Sequence, residues 1–372
     1  MKIINKTYTK TIDFEAAKLL DDNTAFIDIE TTGFDRKRCH IYMIGLAKAI
    51  DSVKCDNNGN TRTIEVTLLF AENKDAELEI LNEFLNYSKG ITTFITFNGI
   101  SFDFPFIRDR FAVYGISYDF NRYNQFDIYV KCKGLKNILK LSNLKQKTIE
   151  AFLGIDREDK FSGGELISQY QEYSMTGDKA CYHNLITHNL EDVIGMADVL
   201  SILRYTHIFD YIDTSSLKNL QFDEKNLSIT ALMSLTYTLP NRFSLQSEYY
   251  YIIFEGNAIK IMLKPIKDEL NYYLKDYKNY MYLTTEDIII PKQLLNSSNK
   301  KQAIPATKDT CYIAKEGLFL PVYNNSMFEE DKLFKKDYKD KSEFVDISNS
   351  LEDKIYMTNY IMHIIKNILG NA

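Results

Sequence analysis

The sequence predicts an α/β domain, a mixed sheet flanked by helices, over residues 1–207 and a smaller α+β domain over residues 208–372. Three strand-like segments followed by helix–strand–helix alternation predict the first domain. Residues 210–223 are polar and predict a linker, and hairpin patterns beyond this segment predict the second domain.

The elements of the first domain follow from apolar periodicity. Short apolar or β-branched runs predict strands, and apolar side chains spaced three and four residues apart predict helices. The predicted strands are residues 25–30, 41–49, 62–70 and 91–97, and the predicted helices are residues 74–87, 103–114, 142–153 and 180–205. Residues 126–130 fit either a short strand or the start of a helix.

Two hairpins and a closing helix are predicted in the second domain. Residues 249–254 and 258–263 flank Gly256, and glycine favours a tight turn there. Residues 310–313 and 318–322 flank Gly317 in the same way. The amphipathic pattern of residues 351–369 predicts the closing helix.

The composition is that of an ordinary globular chain. Of 372 residues, 45% are hydrophobic and 26% are charged. No run approaches the roughly 18 consecutive apolar residues of a membrane helix, and the first residues lack an apolar stretch of signal-peptide length. We therefore expect a cytoplasmic protein with no membrane association. Five cysteines without a CxxC pair argue against a disulfide framework and a structural zinc site.

Two acids alternate with isoleucines in the first predicted strand. Because strand residues two apart point the same way, Asp28 and Glu30 share one face, opposite Ile27 and Ile29. At about 4 Å and an effective dielectric near 20, repulsion between the acids costs roughly 4 kcal/mol. A divalent cation between them would offset this cost. Two acids that face water at a strand end are the alternative interpretation.

A third acid follows the predicted strand at residues 91–97. Gly99 permits a tight turn, and Asp103 then begins the next predicted helix among phenylalanines. The residue is either a helix cap or a third carboxylate delivered to the end of the sheet. At this position the sequence pattern does not decide between these two roles.

A histidine and an acid are four residues apart in the long predicted helix. This spacing places His188 and Asp192 on one face, one turn apart. A carboxylate beside an imidazole suits a metal site with an adjacent base for water, and an ordinary surface pair is the alternative. Oxygen ligands from these acids favour Mg²⁺ or Mn²⁺ over zinc.

The order of these motifs resembles the DEDD exonucleases of the ribonuclease H-like superfamily. The motifs are a strand Asp-x-Glu, a strand–turn–helix Asp and a late helical His-x-x-x-Asp. The resemblance implies a metal-dependent nuclease that attacks DNA or RNA at a 3′ end, with His188 orienting or deprotonating the attacking water. It implies that the ligands of two Mg²⁺ or Mn²⁺ ions are Asp28, Glu30, Asp103 and Asp192.

A closer resemblance, over about residues 22–205, is to the YprB-type ribonuclease H-like family of bacterial proteins. It is carried by Leu-Gly-Ile-Asp-Arg-Glu-Asp at residues 153–159 and His-Asn-x-x-Asp at residues 188–192. The latter accounts for a histidine four residues before its acid, where other histidine-containing DEDD enzymes have five. The family pattern also carries an acid at Asp127. This residue either supports the metal ligands without binding the metal itself or caps the following helix.

Six lysines and no acid lie between residues 131 and 147. We expect Lys131, Lys133 and Lys136 to contact the phosphates of a nucleic acid, although the same pattern is typical of a solvated helix face. The net charge of −6 neither indicates nor excludes a nucleic-acid partner. The sequence identifies no protein partner.

Three other functions are compatible with the sequence. A nucleic-acid-binding protein that retained the fold would keep the acids without turnover, and a nuclease could cut internally. In the third, the second domain binds nucleic acid through tyrosines such as Tyr249 and Tyr251 and lysines such as Lys264. Tyrosines that only pack within the sheets are the alternative to this third function.

Overall fold

The computed structural model describes residues 1–51, 54–56, 59–323, 328 and 332–369. The chain divides into two units, Met1–His207 and Ile208–Ala372. The strands of the first unit are β1 Lys2–Ile12, β2 Thr24–Thr31, β3 Ile41–Ala49, β4 Lys54–Asp56, β5 Gly59–Phe70, β6 Thr93–Thr96 and β7 Asn124–Asp127. Its helices are α1 Phe14–Leu19, α2 Glu77–Tyr87, α3 Asp103–Val113, α4 Ile128–Cys132, α5 Leu135–Ile138, α6 Gln146–Leu153, α7 Gly163–Thr176, α8 Lys179–Val199 and α9 Leu203–Thr206.

A seven-stranded mixed sheet organises the first unit. Its strand order is β1-β5-β3-β2-β6-β7, with β4 beside β5. Each neighbouring pair among β1, β5, β3 and β2 is antiparallel, whereas β2, β6 and β7 are parallel. The predicted mixed sheet flanked by helices is confirmed.

The two faces of β2 have opposite character, as its alternation predicts. Ile27 and Ile29 are buried in an apolar core with Phe84 of α2. Asp28 and Glu30 are on the other face, where both contact side chains of α8. The strand thus directs its acids toward α8, because successive strand residues point to opposite faces of a sheet.

A glycine allows α8 to lie close to the sheet. Gly45 of β3 is paired with Asp28 of β2. A Cβ at Gly45 would lie 2.2 Å from Asn189 Oδ1 and 2.5 Å from Val193 Cγ2, both on α8. Because only a residue without a side chain fits, Gly45 sets the distance between the acidic face of β2 and this helix.

The longest elements of the first unit that were not predicted from the sequence are β1 and α7. The strand β1 lies at the edge of the sheet and pairs with β5 along its whole length. The helix α7 begins with a capping box between Ser162 and Glu165, and its Tyr170 stacks on Tyr42 of β3 at 4.2 Å between ring centroids. Residues 126–130 contain both predicted alternatives, the end of β7 and the start of α4.

The second unit consists of three antiparallel sheets and one α-helix in the part of the chain that is described. Its elements are β8 Ile212–Asp223, β9 Ser228–Leu235, β10 Phe243–Gln246, β11 Tyr250–Glu255, β12 Ala258–Leu263, β13 Ile266–Tyr273, β14 Tyr280–Leu283, β15 Ile288–Pro291, β16 Ala303–Pro305, β17 Tyr312–Val322, β18 Leu333–Phe334, β19 Glu343–Asp346 and α10 Lys354–Leu369. The sheet orders are β10-β11-β12-β9-β8, β13-β17-β19-β18 and β15-β14-β16. The predicted hairpin around Gly256 and the closing helix are confirmed.

Two predictions for this unit are wrong. Most of residues 210–223, predicted as a linker, form β8, an edge strand that pairs with β9. The hairpin predicted at Gly317 is instead the continuous strand β17, which pairs with β13. A Cβ at Gly317 would lie 3.1 Å from Asp346 Oδ1, so this glycine permits close packing and not a turn. In both places pairing with a neighbouring strand outweighed the local signal.

Among the helices of the described residues, none combines the length and the apolar character that a membrane-spanning helix requires.

Candidate active site

The acids of β2 lie where this strand extends beyond its parallel neighbour. Pairing with β6 reaches only as far as Phe26. Farther along, the backbone N–H of Ile29 donates a hydrogen bond to Asp103 Oδ1 at 3.0 Å. The carboxylate of Asp103, the third predicted acid, therefore lies beside the strand segment between Asp28 and Glu30.

Three side chains of α8 complete the site. Asn189 Nδ2 donates a hydrogen bond to Asp28 Oδ2 at 2.7 Å. His188 Nε2 lies 3.1 Å from Glu30 Oε1 and 3.1 Å from Asp192 Oδ2. The four-residue spacing places His188 and Asp192 on one face of the helix, as predicted. The imidazole is buried between two acids, with 6% of the residue exposed, and is not part of a surface pair.

A loop between α6 and α7 adds two residues to which the sequence analysis gave no role. Asp159 Oδ2 lies 2.6 Å from His188 Nδ1. Arg157 Nη1 lies 2.6 Å from Asp192 Oδ1 and 2.9 Å from Glu150 Oε2. The available signal was the Asp-Arg-Glu-Asp run itself, because charged side chains are buried only when they are paired.

Asp127 holds the turn that precedes Asp103. Its carboxylate accepts hydrogen bonds from the backbone N–H groups of Asn98 at 2.9 Å and Ile100 at 3.1 Å. It also accepts one from the N–H of Val130 at 3.4 Å, at the start of α4. The side chain therefore caps α4 and also restrains the turn through which β6 leads to Asp103.

Burial and repulsion between carboxylates act on two acids of the site. Burial, followed by the charges of Asp192, Asp103 and Glu30, raises the pKa of Asp28 well above its ordinary value. Burial also raises the pKa of Asp103 to about 7, and the charge of Glu30 adds to this shift. Both carboxyl groups are therefore shifted toward their neutral forms, first by burial and then by the negative charges of neighbouring acids.

Two basic side chains offset part of this charge. Burial opposes a charged imidazole, yet the hydrogen bond and charge of Glu30, with the charges of Asp192 and Asp159, raise the pKa of His188 to about 9. Burial also opposes the charge of Arg157, but Asp192 and Glu150 raise the pKa of this guanidinium above its ordinary value. Both basic groups therefore favour their charged forms at neutral pH.

The donor set fits a divalent metal ion. Glu30, His188 and Asp192 present ligand atoms that all lie within 4.8 Å of one another. Asp28 and Asp103 lie outside this group of three but contribute to the same concentration of negative charge. A divalent cation would stabilise ionised carboxylates here, because its charge opposes the repulsion that raises the pKa of Asp28.

A cleft of about 570 Å³ is connected to the site through Gln146 and is not lined by the acids themselves. Gln146 lines this cleft, and its Nε2 donates a hydrogen bond to the backbone carbonyl of Asp192 at 2.9 Å. Tyr129, Lys136 and Lys145 also line it, so the wall combines an aromatic ring with two cations. This combination of aromatic and basic side chains is suited to bases and phosphates.

The lysines of the predicted basic segment have different partners. Lys131 and Lys133 are exposed, and their ammonium groups lie 5.5 Å from the ring centroids of Phe126 and Tyr129 respectively. The side chain of Lys147 is 39% exposed, and its ammonium group lies 2.6 Å from Oδ2 of the buried Asp159. The segment is therefore not a uniform solvated face.

Three of the solved structures that this chain resembles have low sequence identity to it. The family B DNA polymerase from the archaeon Pyrobaculum calidifontis is 13% identical, with a TM-score of 0.33 over 69% of this chain and 35% of that chain. E. coli Exonuclease I in complex with a dT13 oligonucleotide is 12% identical, with a TM-score of 0.26 over 62% of this chain and 55% of that chain. An ExoI/SSB-Ct complex is 10% identical, with a TM-score of 0.27 over 93% of this chain and 72% of that chain. This chain thus spans about a third of the length of the polymerase and just over half of the length of Exonuclease I.

No curated protein matches the chain. Residues 25–204, which include nearly all of β2, the turn to Asp103 and all of α8, match the family model described as the RNase_H superfamily. This match and the mixed sheet with its flanking helices identify residues 25–204 as an RNase H-like domain.

Proposed function

We propose that this protein is a metal-dependent nuclease that hydrolyses phosphodiesters of DNA or RNA, as a 3′–5′ exonuclease of the DEDD type. The observation that carries the proposal is the contact of His188 with both Glu30 and Asp192, which joins β2 to α8. The match of residues 25–204 to the RNase H superfamily supports a nuclease in general. The finer assignment depends on the acids that converge around this contact.

In this proposal the metal ligands are Asp28, Glu30, Asp103 and Asp192, and the ions are two Mg²⁺ or Mn²⁺. When bound, such ions supply an activated water and stabilise the charge of the leaving 3′ oxygen. The ligands come from a rigid strand, the start of α3 and α8, so their positions depend on the packing of the sheet. Hard oxygen donors favour these ions over softer metals.

The other side chains position water and substrate. His188 faces Glu30 and Asp192 through Nε2, where it can orient an attacking water or accept its proton. Asp127 restrains the turn before Asp103, and thereby supports one ligand without contacting the substrate.

The substrate in this proposal is a strand of nucleic acid that enters through the cleft beside Gln146. Tyr129 can stack on a base, and Lys136, with the exposed Lys131 and Lys133, can pair with phosphates. These contacts involve the backbone and the faces of bases, so they account for binding without sequence preference. A locally basic cleft of this kind is compatible with the net charge of −6 of the whole chain.

Cleavage of end-labelled oligonucleotides tests the proposal. DNA and RNA, single- and double-stranded, are incubated with Mg²⁺, Mn²⁺ or EDTA. We expect cleavage only with metal, and loss of at least about 100-fold in rate for Asp28→Asn and Asp192→Asn. The matched control is Asp198→Asn, which removes an acid of α8 that pairs with Lys10. Full activity of either site variant would remove that residue from the site.

The products and the ends of the substrate distinguish exonuclease from endonuclease. A 3′–5′ exonuclease releases nucleoside monophosphates from a 5′-labelled strand and leaves a circular strand intact. Linearisation of the circle would instead indicate internal cutting and would overturn the proposed polarity.

One observation favours a second function, a nucleic-acid-binding protein without turnover. The Arg157 guanidinium lies 2.6 Å from Asp192, so a resident cation already neutralises one proposed ligand. Calorimetric titration with Mn²⁺ separates the two functions. A nuclease site binds Mn²⁺, and Asp28→Asn weakens this binding. A site that binds oligonucleotide but no Mn²⁺ would support the second function.

A further inference from the structure

The side chain of Asp159 is buried in the first unit and surrounded by donors. It is 1% exposed, and its Oδ2 lies 2.6 Å from both Lys147 Nζ and His188 Nδ1. Its Oδ1 accepts a hydrogen bond from the backbone N–H of Phe161 at 3.0 Å. The nearest charged groups on this carboxylate are therefore basic, and Arg157 Nη2 adds another at 3.6 Å.

The backbone that carries this carboxylate is also anchored. Glu191 of α8 accepts hydrogen bonds from the N–H of Glu158 at 2.8 Å and from that of Asp159 at 2.9 Å. Lys147, the cation that pairs with Asp159, also donates to the backbone carbonyl of Phe161 at 2.6 Å. The loop therefore holds Asp159 in one position against α8.

These contacts decide which atom carries the proton in the Asp159–His188 hydrogen bond. The Lys147 ammonium at 2.6 Å, the Arg157 guanidinium at 3.6 Å and the N–H of Phe161 at 3.0 Å all favour the ionised form of this carboxylate. An ionised carboxylate can only accept hydrogen bonds. His188 Nδ1 must then be the donor, at 2.6 Å.

We propose that Asp159 is a positioning residue that keeps a proton on Nδ1 of His188 in both the charged and the neutral ring, so that Nε2, which faces Glu30 and Asp192, is the nitrogen that gives up and accepts a proton. The inference rests on the proposed nuclease function, in which Nε2 orients water or accepts its proton. If the neutral ring kept its proton on Nε2 instead, this nitrogen would have no free electron pair with which to accept a proton from water. A carboxylate behind a histidine ring serves the same purpose in many metal sites and hydrolases.

Nitrogen NMR of the metal-free protein tests the hydrogen bond without any need for catalysis. The protein is labelled with [¹⁵N]histidine, and His188→Gln identifies the His188 signals among the five histidines. We expect a proton bonded to Nδ1 that exchanges slowly with water, in the wild type and in Asp198→Asn. Asp159→Ala should abolish its protection from exchange. A wild-type spectrum with an unprotonated Nδ1 would overturn the inference even if no variant folds.

Kinetics test the consequence for the reaction. We expect Asp159→Asn to lower kcat with Mg²⁺ by about 10–100-fold and to change KM for an oligonucleotide by less than about twofold. Asp198→Asn should change neither quantity. An unchanged kcat in a folded Asp159→Asn protein would contradict the positioning role.

The two experiments distinguish this inference from the function on which it rests. If the wild type cleaves nothing, the proposed nuclease function fails, and the NMR spectrum still shows whether Asp159 controls the ring. If the wild type cleaves and Nδ1 carries no proton, only the role of Asp159 fails.

Discussion

Arg157 joins acids from three parts of the first unit. Its guanidinium is 9% exposed and lies within 4 Å of Glu150 of α6, Asp159 of the same loop and Asp192 of α8. Removal of one partner from a buried ion pair leaves an uncompensated charge. Without metal, Arg157 is therefore one of the cations that stabilise these acids, together with His188 and Lys147.

We expect Arg157→Gln to destabilise the metal-free protein by about 3–5 kcal/mol, since the acids lose their buried partner. Mn²⁺ should then raise the melting temperature of the variant more than that of the wild type. Thermal unfolding with EDTA and with Mn²⁺ measures both effects. Arg157→Lys, which keeps the charge, should be intermediate. Equal melting temperatures of Arg157→Gln and wild type in EDTA would contradict this role.

Gly45 controls the approach of a whole helix through one missing side chain. We expect Gly45→Ala to cost about 1–3 kcal/mol in the free energy of unfolding, because the new Cβ overlaps Asn189 and Val193. Displacement of Asn189 should also weaken its hydrogen bond to Asp28. Urea unfolding measures the cost. In the control, Gly163→Ala, the Cβ would meet nothing within 4 Å, so a similar loss there would refute the steric explanation.

At the scale of elements, the site depends on where strands end and helices begin. β6 pairs with β2 only as far as Phe26, and Asp103 at the start of α3 accepts the hydrogen bond that Ile29 then offers. The helix α8 supplies Asn189 to Asp28 and His188 to Glu30. Each of these contacts within the candidate site therefore also joins two elements of the fold.

In the second unit, α10 carries a buried histidine that should make stability depend on pH. Burial lowers the pKa of His363, and its Nε2 accepts a hydrogen bond from the N–H of Tyr323 at 3.2 Å. Below an unfolded pKa of about 6.5, the unfolded chain takes up a proton that the folded chain resists. The contribution is therefore present above that pH and is lost as the pH falls toward the folded pKa.

Between pH 7.5 and pH 5, we expect the stability of His363→Gln to urea to rise relative to that of the wild type, because only the wild type loses the contribution of His363. The raised pKa values of Asp28, Asp103 and His188 act equally on both proteins. Gln can still accept a hydrogen bond but does not titrate. The readout is the difference between the two urea midpoints at each pH, and a difference that does not change with pH would mean that the protonation of His363 does not contribute.

At the scale of the whole molecule, every residue proposed for the site lies in Met1–His207. This unit has its own sheet and a continuous core that includes Ile27, Phe84 and Phe106. We expect residues 1–207, expressed alone, to unfold cooperatively and to bind Mn²⁺ within about threefold of the affinity of the full chain. Calorimetry and circular dichroism measure both properties. A loss of more than about tenfold would mean that the second unit is needed to form the site.

The sequence predicted most of the first unit, because its signals are local. Alternation in β2 identified the shared face of Asp28 and Glu30, and the spacing in α8 identified that of His188 and Asp192. Side-chain direction in a strand or helix depends on residues two to four positions away, so a sequence contains this information directly. The family match agrees with the resemblance inferred from these motifs.

Other features depend on partners that are distant in the chain. The residues of β8 are polar enough for a linker and become a strand by pairing with β9, and Gly317 lies in a strand because β13 lies beside it. In sequence, an edge strand can be as polar as a loop, and a glycine in a closely packed strand cannot be distinguished from a glycine in a turn. Periodicity therefore could not distinguish these possibilities.

By itself, the sequence determined the fold class of the first unit, the acids that are candidates for the metal site and the faces of the strand and helix on which they lie. The tertiary structure alone decided that Asp159 contacts the ring of His188, that Arg157 pairs with Asp192 and that Gly45 allows α8 to approach. The physical reason is that the direction of a side chain depends on the local backbone. The partner of a buried charge depends on how distant elements pack, and that packing brings residues 159 and 188 to within hydrogen-bonding distance.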